Sequence, residues 1–400
     1  MLIKMKYLYV FCYGMFVYLA ACVMLNILTS QLGEWSLTEL LINYQGGFVR
    51  RGLIGEVLFQ SDNPIALAHN FQRFIVACFL VFILILLISE KDLFNKFLLL
   101  ALVTFASGGI LDFILGAGFE YLDRKEIWFY STLGLIFVSI RTFGFYNLKN
   151  ILVINVLSVL MTLHHELYAV FTLPLILFIV ALSGAGYLLK SIALIAPTFI
   201  TLLLVVNHSG DQSFVNTIKE SYLLKFGIDA GGAIDGIGWS FERSHNLSRR
   251  MITDGSLRYW LYHMIVNLVF LTIFASYKSK TVKEFFIYMT VIFIVFSATV
   301  FAMFAGWDWG RWISMFFFIS IFFIYIASLA LSNVFRTNFF NTYNNELSDR
   351  LRMQIASIML LFLIFGLNSN VRMDHCCPKQ SNFEFVQPTK FIELIFSFRK

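Results

Sequence analysis

Apolar runs of about 17 to 25 residues, each long enough to cross a bilayer as an α-helix, recur along this chain with short polar breaks between them. Lipid offers backbone amides no water to bond, so a chain built of such runs must fold as a bundle of spanning helices. Composition agrees. Hydrophobic residues make up 59% of the chain and charged residues 14%, against roughly 25% charged in soluble domains, and mean hydropathy is +0.77. A soluble domain or soluble receptor is excluded. The expected fold class is all-α and polytopic, a single membrane domain over residues 1–400.

About eleven spans are expected: Tyr7 to Leu28, Phe71 to Ser89, Phe97 to Leu115, Ile127 to Phe143, Ile151 to Leu163, Leu167 to Leu182, Ser191 to Asn207, Tyr259 to Tyr277, Phe285 to Ala305, Ile313 to Ser332 and Met353 to Leu367. One continuous helix through His164, His165 and Glu166 would run about 32 residues, or ~48 Å, too long for a bilayer without steep tilt. A reversal is therefore expected there. Tyr7 to Leu28 reads as an uncleaved signal anchor, being longer than the roughly 7 to 15 apolar residues of a signal peptide. Leu19-Ala20-Ala21-Cys22 resembles a lipobox, but apolar residues continue past Cys22, which argues against lipidation.

Short-loop lysines and arginines set orientation. With the N-terminus cytoplasmic, that side receives Lys4, Lys6, Lys91, Lys96, Lys149, Lys190, Lys278, Lys280, Lys283, Arg336, Arg350 and Arg352. The outer face receives Arg50, Arg51, Arg73, Arg124, Arg243, Arg249, Arg250, Arg258, Arg311 and Arg372, mostly in two longer loops at residues 30–70 and 208–258. Arginine on that side points away from a topology signal and toward phosphate oxygens, which a guanidinium binds through two parallel N–H bonds. Pairing with nearby acids is the plainer alternative. Cys12, Cys22 and Cys78 sit in apolar runs as packing residues, and His375-Cys376-Cys377 lacks zinc-site spacing. A disulfide and a free thiol pair both fit those last two cysteines. No metal, cofactor or nucleic-acid partner is expected. The 46 phenylalanines read as mostly lipid-facing bulk, and neither an internal repeat nor the paired interrupted spans of many transporters is found.

Polar clusters then gather on the outer face. In Asn43-Tyr44-Gln45-Gly46-Gly47-Phe48-Val49-Arg50-Arg51-Gly52-Leu53-Ile54-Gly55-Glu56, the Gly46–Gly47 amides and the Arg50 and Arg51 guanidinium groups suit an anion. Arg50 to Phe59 reads equally as an amphipathic helix on the interface, which needs no ligand. His164-His165-Glu166 lies between two apolar runs, where ionisable residues are costly and a His or Glu can take a proton from a sugar hydroxyl; capping of helix ends is the alternative. In Gly306-Trp307-Asp308-Trp309-Gly310-Arg311-Trp312, Asp308 and Arg311 share a helix face and can pair. Trp307 and Trp309 suit either an interfacial belt or stacking on sugar rings. Asp112, Glu120, Asp123 and Arg124 form a weaker group, and the 208–258 loop, with Gly231–Gly232, reads as a lid or a flexible connection.

Size, Phe- and Ile-rich spans and Arg-rich outer loops together resemble the O-antigen and capsule repeat-unit polymerases of the Wzy type. The resemblance is architectural and rests on no quoted motif. It implies a reaction on the outer face of the bacterial inner membrane. A glycan would move from undecaprenyl pyrophosphate to a hydroxyl of the next undecaprenyl-pyrophosphate-linked oligosaccharide, with a chain-length regulator as protein partner. Arg50, Arg51 and Arg249, Arg250 or Arg311 would face the pyrophosphate, and His165, Glu166 or Asp308 would act as base. The chain also resembles GT-C glycosyltransferases, which use a polyprenyl phosphate donor and keep an acid in the first outer loop. Glu34, Glu39 or Glu56 would be that acid, although the adjacent acidic pair of many members is missing. A lipid-linked oligosaccharide flippase is a third reading, disfavoured by spans almost free of charge.

Overall fold

The computed structural model describes residues 2–29, 31–106, 109–110, 124–183, 187–253, 256–305 and 309–331. Among these, every regular element is helical: α1 (Leu2–Thr29), α2 (Glu34–Leu40), α3 (Gly52–Phe59), α4 (Pro64–Ser89), α5 (Leu93–Phe105), α6 (Glu126–Phe143), α7 (Leu148–His164), α8 (Leu167–Ser183), α9 (Leu188–Asn207), α10 (Gln212–Phe226), a 3-10 segment (Gly232–Gly238), α11 (Phe241–Thr253), α12 (Ser256–Lys278), α13 (Val282–Ala305) and α14 (Trp309–Ala330). Six of them are long and apolar enough to cross a membrane, and three shorter apolar helices accompany these. The protein is a helical membrane protein. The expected span at Met353 to Leu367, the His375 to Cys377 group, Asp112, Glu120 and Asp123 lie outside the described residues.

The polar breaks work as helix starts. The Asn63 side chain accepts the Ala66 N–H at 3.0 Å with Pro64 in the first turn. Asp92 accepts the Phe94 N–H at 2.8 Å, Asn147 the Lys149 N–H at 2.9 Å, and Asp211 the Ser213 N–H at 2.8 Å. Each satisfies amides that have no partner within their own helix.

The expected reversal occurs where His165 leaves the helical region at φ −162°, ψ 122°. The hydroxyls of Ser158 and Tyr168 stand 3.4 Å apart across it, whereas ten residues of straight helix would separate them by ~15 Å. Ile154 meets Ile176 and Ile179 in one small apolar cavity of the resulting hairpin.

α14 is the central helix, packed by α6, α8, α12 and α13. Its Phe316, Phe317, Phe318, Phe322 and Phe323 are at most 2% exposed, which corrects the reading of the phenylalanines as lipid-facing bulk for this run. α1 and α9 lie at the outside, with 22% and 28% of their apolar windows buried, and present side chains such as Val10, Leu25 and Leu203 outward.

The first loop is also packed more closely than an interfacial helix would be. α3 sits against α2, α4 and α7. A Cβ on Gly52 would strike the Tyr44 ring and one on Gly55 the Ile42 carbonyl, so both glycines serve close approach. The Arg50 N–H donates to the His208 carbonyl at 2.9 Å, and α2 packs on the 3-10 segment, which rests on α10. The two long loops thus form one layer over the bundle. At the other end of α4, Glu90 takes Lys278 at 2.5 Å and the Tyr325 hydroxyl at 3.1 Å.

Candidate active site

Under this layer lies a cavity of about 750 Å³, within the roughly 300 to 1,000 Å³ of small-molecule sites. It gathers residues far apart in sequence. Glu39 comes from α2, Arg50 and Arg51 from the turn before α3, His165 and Glu166 from the α7–α8 reversal, and Arg311 from the start of α14. Leu167 and Val170 of α8, Val205 and Val206 of α9, and Phe301 and Ala302 of α13 make an apolar wall. Val206 is 60% exposed and Phe301 63% exposed, so the cavity borders exposed apolar surface on both α9 and α13.

Arg51 anchors the charged wall. Its backbone is left-handed at φ 67°, the single such non-glycine among the described residues, a conformation costing roughly 1–2 kcal/mol. What holds it there is the guanidinium. Its Nε and Nη2 donate to the two Glu166 carboxylate oxygens at 3.1 and 2.7 Å, while Nη1 stands 3.5 Å from Glu39 Oε1. Arg50 Nη1 donates to Glu166 Oε1 at 3.3 Å.

Glu39 is held more loosely. Its Oε2 is 3.8 Å from Arg124 Nη1, its Oε1 4.0 Å from His165 Nε2, and Oε2 accepts no hydrogen bond among the described residues. Burial by itself would raise its pKa, but the charges of Lys125, Arg311 and Arg51 outweigh burial and bring it to about 2. Glu166 follows the same logic: burial opposes ionisation, and the charges of Arg51 and Arg50 overcome it, leaving it well below the usual carboxylate range. Burial, then Arg51, drives His165 well below 6.5 and keeps it neutral. Its Nδ1 accepts the Leu167 N–H at 3.2 Å, so the neutral ring carries its proton on Nε2, toward Glu39. His165 therefore lacks a lone pair aimed at the cavity, which weighs against the expectation that it is the base.

Behind these lie Lys125 and Glu126, both buried. Lys125 Nζ donates to the His164 carbonyl at 3.4 Å, and burial draws its pKa down to about 8 against the pull of Glu39. Glu126 pairs with Arg311 at 3.3 Å. Among the described residues, Arg50, Arg51, Arg124, Lys125 and Arg311 gather around Glu39, Glu126 and Glu166, and Asp211 adds a further carboxylate to the cavity lining. Three of these guanidinium groups, on Arg50, Arg51 and Arg311, line the cavity, and such groups suit the oxygens of an anion. No group of three or more His, Cys, Asp or Glu side chains among the described residues is arranged to hold a metal ion.

Other expected residues are placed elsewhere. Gly46 packs on Phe214, and Gly47, at φ 109°, donates its N–H to the Tyr44 carbonyl at 2.9 Å; neither lines the cavity, so the Gly47 amide is not part of an anion cradle. Arg249 and Arg250 are exposed on α11, away from the cavity lining. His164 is buried with its ring centroid 4.7 Å from that of Trp128. Trp309 is buried and donates its indole N–H to the Met303 carbonyl at 2.9 Å, while Trp312 lines the cavity. Trp307 and Asp308 lie outside the described residues, so the expected Asp308–Arg311 pair is not described; Arg311 pairs with Glu126. Glu56 accepts the Tyr44 N–H at 3.0 Å in a structural role, and Glu34 is exposed. Lys125 and Glu126 were missed by the sequence reading. Their signal was three consecutive charges, Arg124-Lys125-Glu126, against the start of an apolar run.

No protein-family model matches the chain, and no curated protein or solved structure matches it.

Proposed function

We propose that the protein is a membrane glycosyltransferase that takes a sugar from a polyprenyl phosphate donor, in the manner of the GT-C enzymes it resembles. The observation that carries this reading is Glu39. Of the three candidate acids of the first loop, it is the one that lines the cavity, beside three arginines and an apolar wall suited to a lipid chain.

In the reaction, an acceptor hydroxyl attacks C1 of the donor sugar and the C1–O bond to phosphate breaks, its electron pair leaving on the phosphate oxygen. The hydroxyl proton passes to Glu39. Arg50, Arg51 and Arg311 neutralise the charge that develops on the leaving phosphate. A carboxyl held at about 2 is a weak base, but phosphate competes with Glu39 for Arg51 and Arg311 and adds negative charge nearby, and both effects raise its proton affinity.

A repeat-unit polymerase of the Wzy type is the second reading, favoured by the convergence of Arg50, Arg51 and Arg311 on one cavity, which also suits a pyrophosphate. Deletion of the gene in its host, followed by gel analysis of the surface glycan, separates the readings. Repeats lacking a sugar support the transferase, and lipid caps bearing a single repeat support the polymerase. Loss of all surface repeats while lipid-linked units accumulate would overturn both in favour of a flippase. The bacterial inner membrane and its outer face belong to the same proposal.

A further inference from the structure

One wall of the cavity is aromatic. Trp35 and Trp239 both line it, with ring centroids 6.1 Å apart and planes inclined at 55°. Trp35 lies four residues before Glu39 on α2, so the two side chains leave the same helix face about 5–6 Å apart at Cβ. Trp239 follows the 3-10 segment, its N–H donating to the Gly236 carbonyl at 3.3 Å, and the Arg243 guanidinium lies 4.3 Å from its ring centroid.

Thr38 locks these pieces together. Its hydroxyl accepts the Ala233 N–H at 3.0 Å, and Gly232, at φ 58°, approaches so closely that a Cβ would lie 2.6 Å from Thr38 Oγ1. Trp35, Glu39 and Trp239 therefore belong to one unit, with the Trp35 indole one helical turn from the carboxylate and Trp239 against Trp35. Pyranose rings carry apolar C–H faces that suit indole surfaces, and their hydroxyls are the groups a carboxylate can deprotonate.

We propose that Trp35 and Trp239 form the acceptor subsite and that the acceptor is a carbohydrate, its ring resting against the indole surface that lines the cavity with one hydroxyl directed at Glu39. This rests on the glycosyl-transfer reading and adds the acceptor's chemical class and place. Gly236 gives an independent handle: it lines the cavity, and a Cβ there meets nothing within 4 Å, so a larger side chain can be introduced at the cavity wall beside Trp239.

The test uses the full-length protein in nanodiscs with two probes: undecaprenyl phosphate, and short oligosaccharides released by mild acid from the host's surface glycan. Calorimetry measures the oligosaccharides with undecaprenyl phosphate saturating. Trp35→Ala, Trp239→Ala and Gly236→Leu should each weaken oligosaccharide binding by roughly tenfold, the scale of a lost aromatic contact, and leave undecaprenyl phosphate binding unchanged. Trp35→Phe should restore most of the affinity. Oligosaccharide affinity unchanged in all three variants, or absent from the wild type while undecaprenyl phosphate binds, overturns the acceptor subsite and leaves the donor reading standing. Failure of the wild type to bind undecaprenyl phosphate overturns the glycosyl-transfer reading instead.

Discussion

Glu39 and Arg51 divide the work at the site, and each answers to a different substitution. Glu39→Gln removes the proton acceptor, and one negative charge, from beside Arg51 and Arg124. Transfer should fall by about 10²–10⁴, the usual weight of a general base, while undecaprenyl phosphate binding holds or tightens; unimpaired transfer would remove Glu39 from the mechanism. Arg51→Lys keeps the charge but loses the fork that grips both Glu166 oxygens, so binding of undecaprenyl phosphate should weaken nearly as much as in Arg51→Ala. Full rescue by lysine would show that only charge matters there. Gly55→Ala drives a methyl group into the Ile42 carbonyl, a backbone clash that should cost ~1–3 kcal/mol or more and appear as lost folded protein on size-exclusion chromatography. Glu39 shows how far single residues were legible. Its place on the first loop made it one of three candidate acids, and choosing it required the position of Arg51, which no local pattern supplies.

Among the elements, the α7–α8 hairpin carries the clearest pH dependence. His165 is depressed below its ordinary 6.5, so on acidification the unfolded chain binds a proton that the folded chain refuses. Stability is therefore full above about 6.5 and falls as pH drops below it. Glu39, at about 2, and Glu166 act in the same direction at lower pH, since their stabilisation is present above 4.5 and lost as pH falls toward their folded values. The melting temperature of the detergent-solubilised protein should drop between pH 7 and pH 5, and His165→Gln should flatten that drop; an unchanged slope would assign it to other groups. The reversal could be read from length alone, because a helix through His164 to Glu166 cannot fit a bilayer. The roles of α2 and α3 could not. An amphipathic pattern is the same whether the helix lies on lipid or docks on protein, and Gly52 and Gly55 mark docking only once Tyr44 and Ile42 are seen beneath them.

The whole molecule separates a site end from a structural end. Glu90, Lys278 and Tyr325 tie α4, α12 and α14 together away from the cavity. Glu90→Gln should lower the melting temperature and leave undecaprenyl phosphate affinity unchanged, whereas a loss of affinity would mean that the two ends are coupled. Sidedness is equally open to measurement. A cysteine placed at Gly236 and another at Lys149 should react with a membrane-impermeant maleimide from opposite faces of intact cells, 236 from outside; the reverse pattern would invert the proposed topology.

Spans, breaks and capping residues were decided by local chemistry, because a bilayer leaves an apolar run no alternative to a helix, and Asn63, Asp92 and Asp211 satisfy amides a few residues away. The site was decided by packing. Its charges come from α2, the turn before α3, the start of α6, the α7–α8 reversal and α14, and their mutual field exists only after those helices assemble. Charge neutralisation depends on distance through space, so the sequence could name Arg51, Glu166 and Arg311 separately while the fold alone made them neighbours.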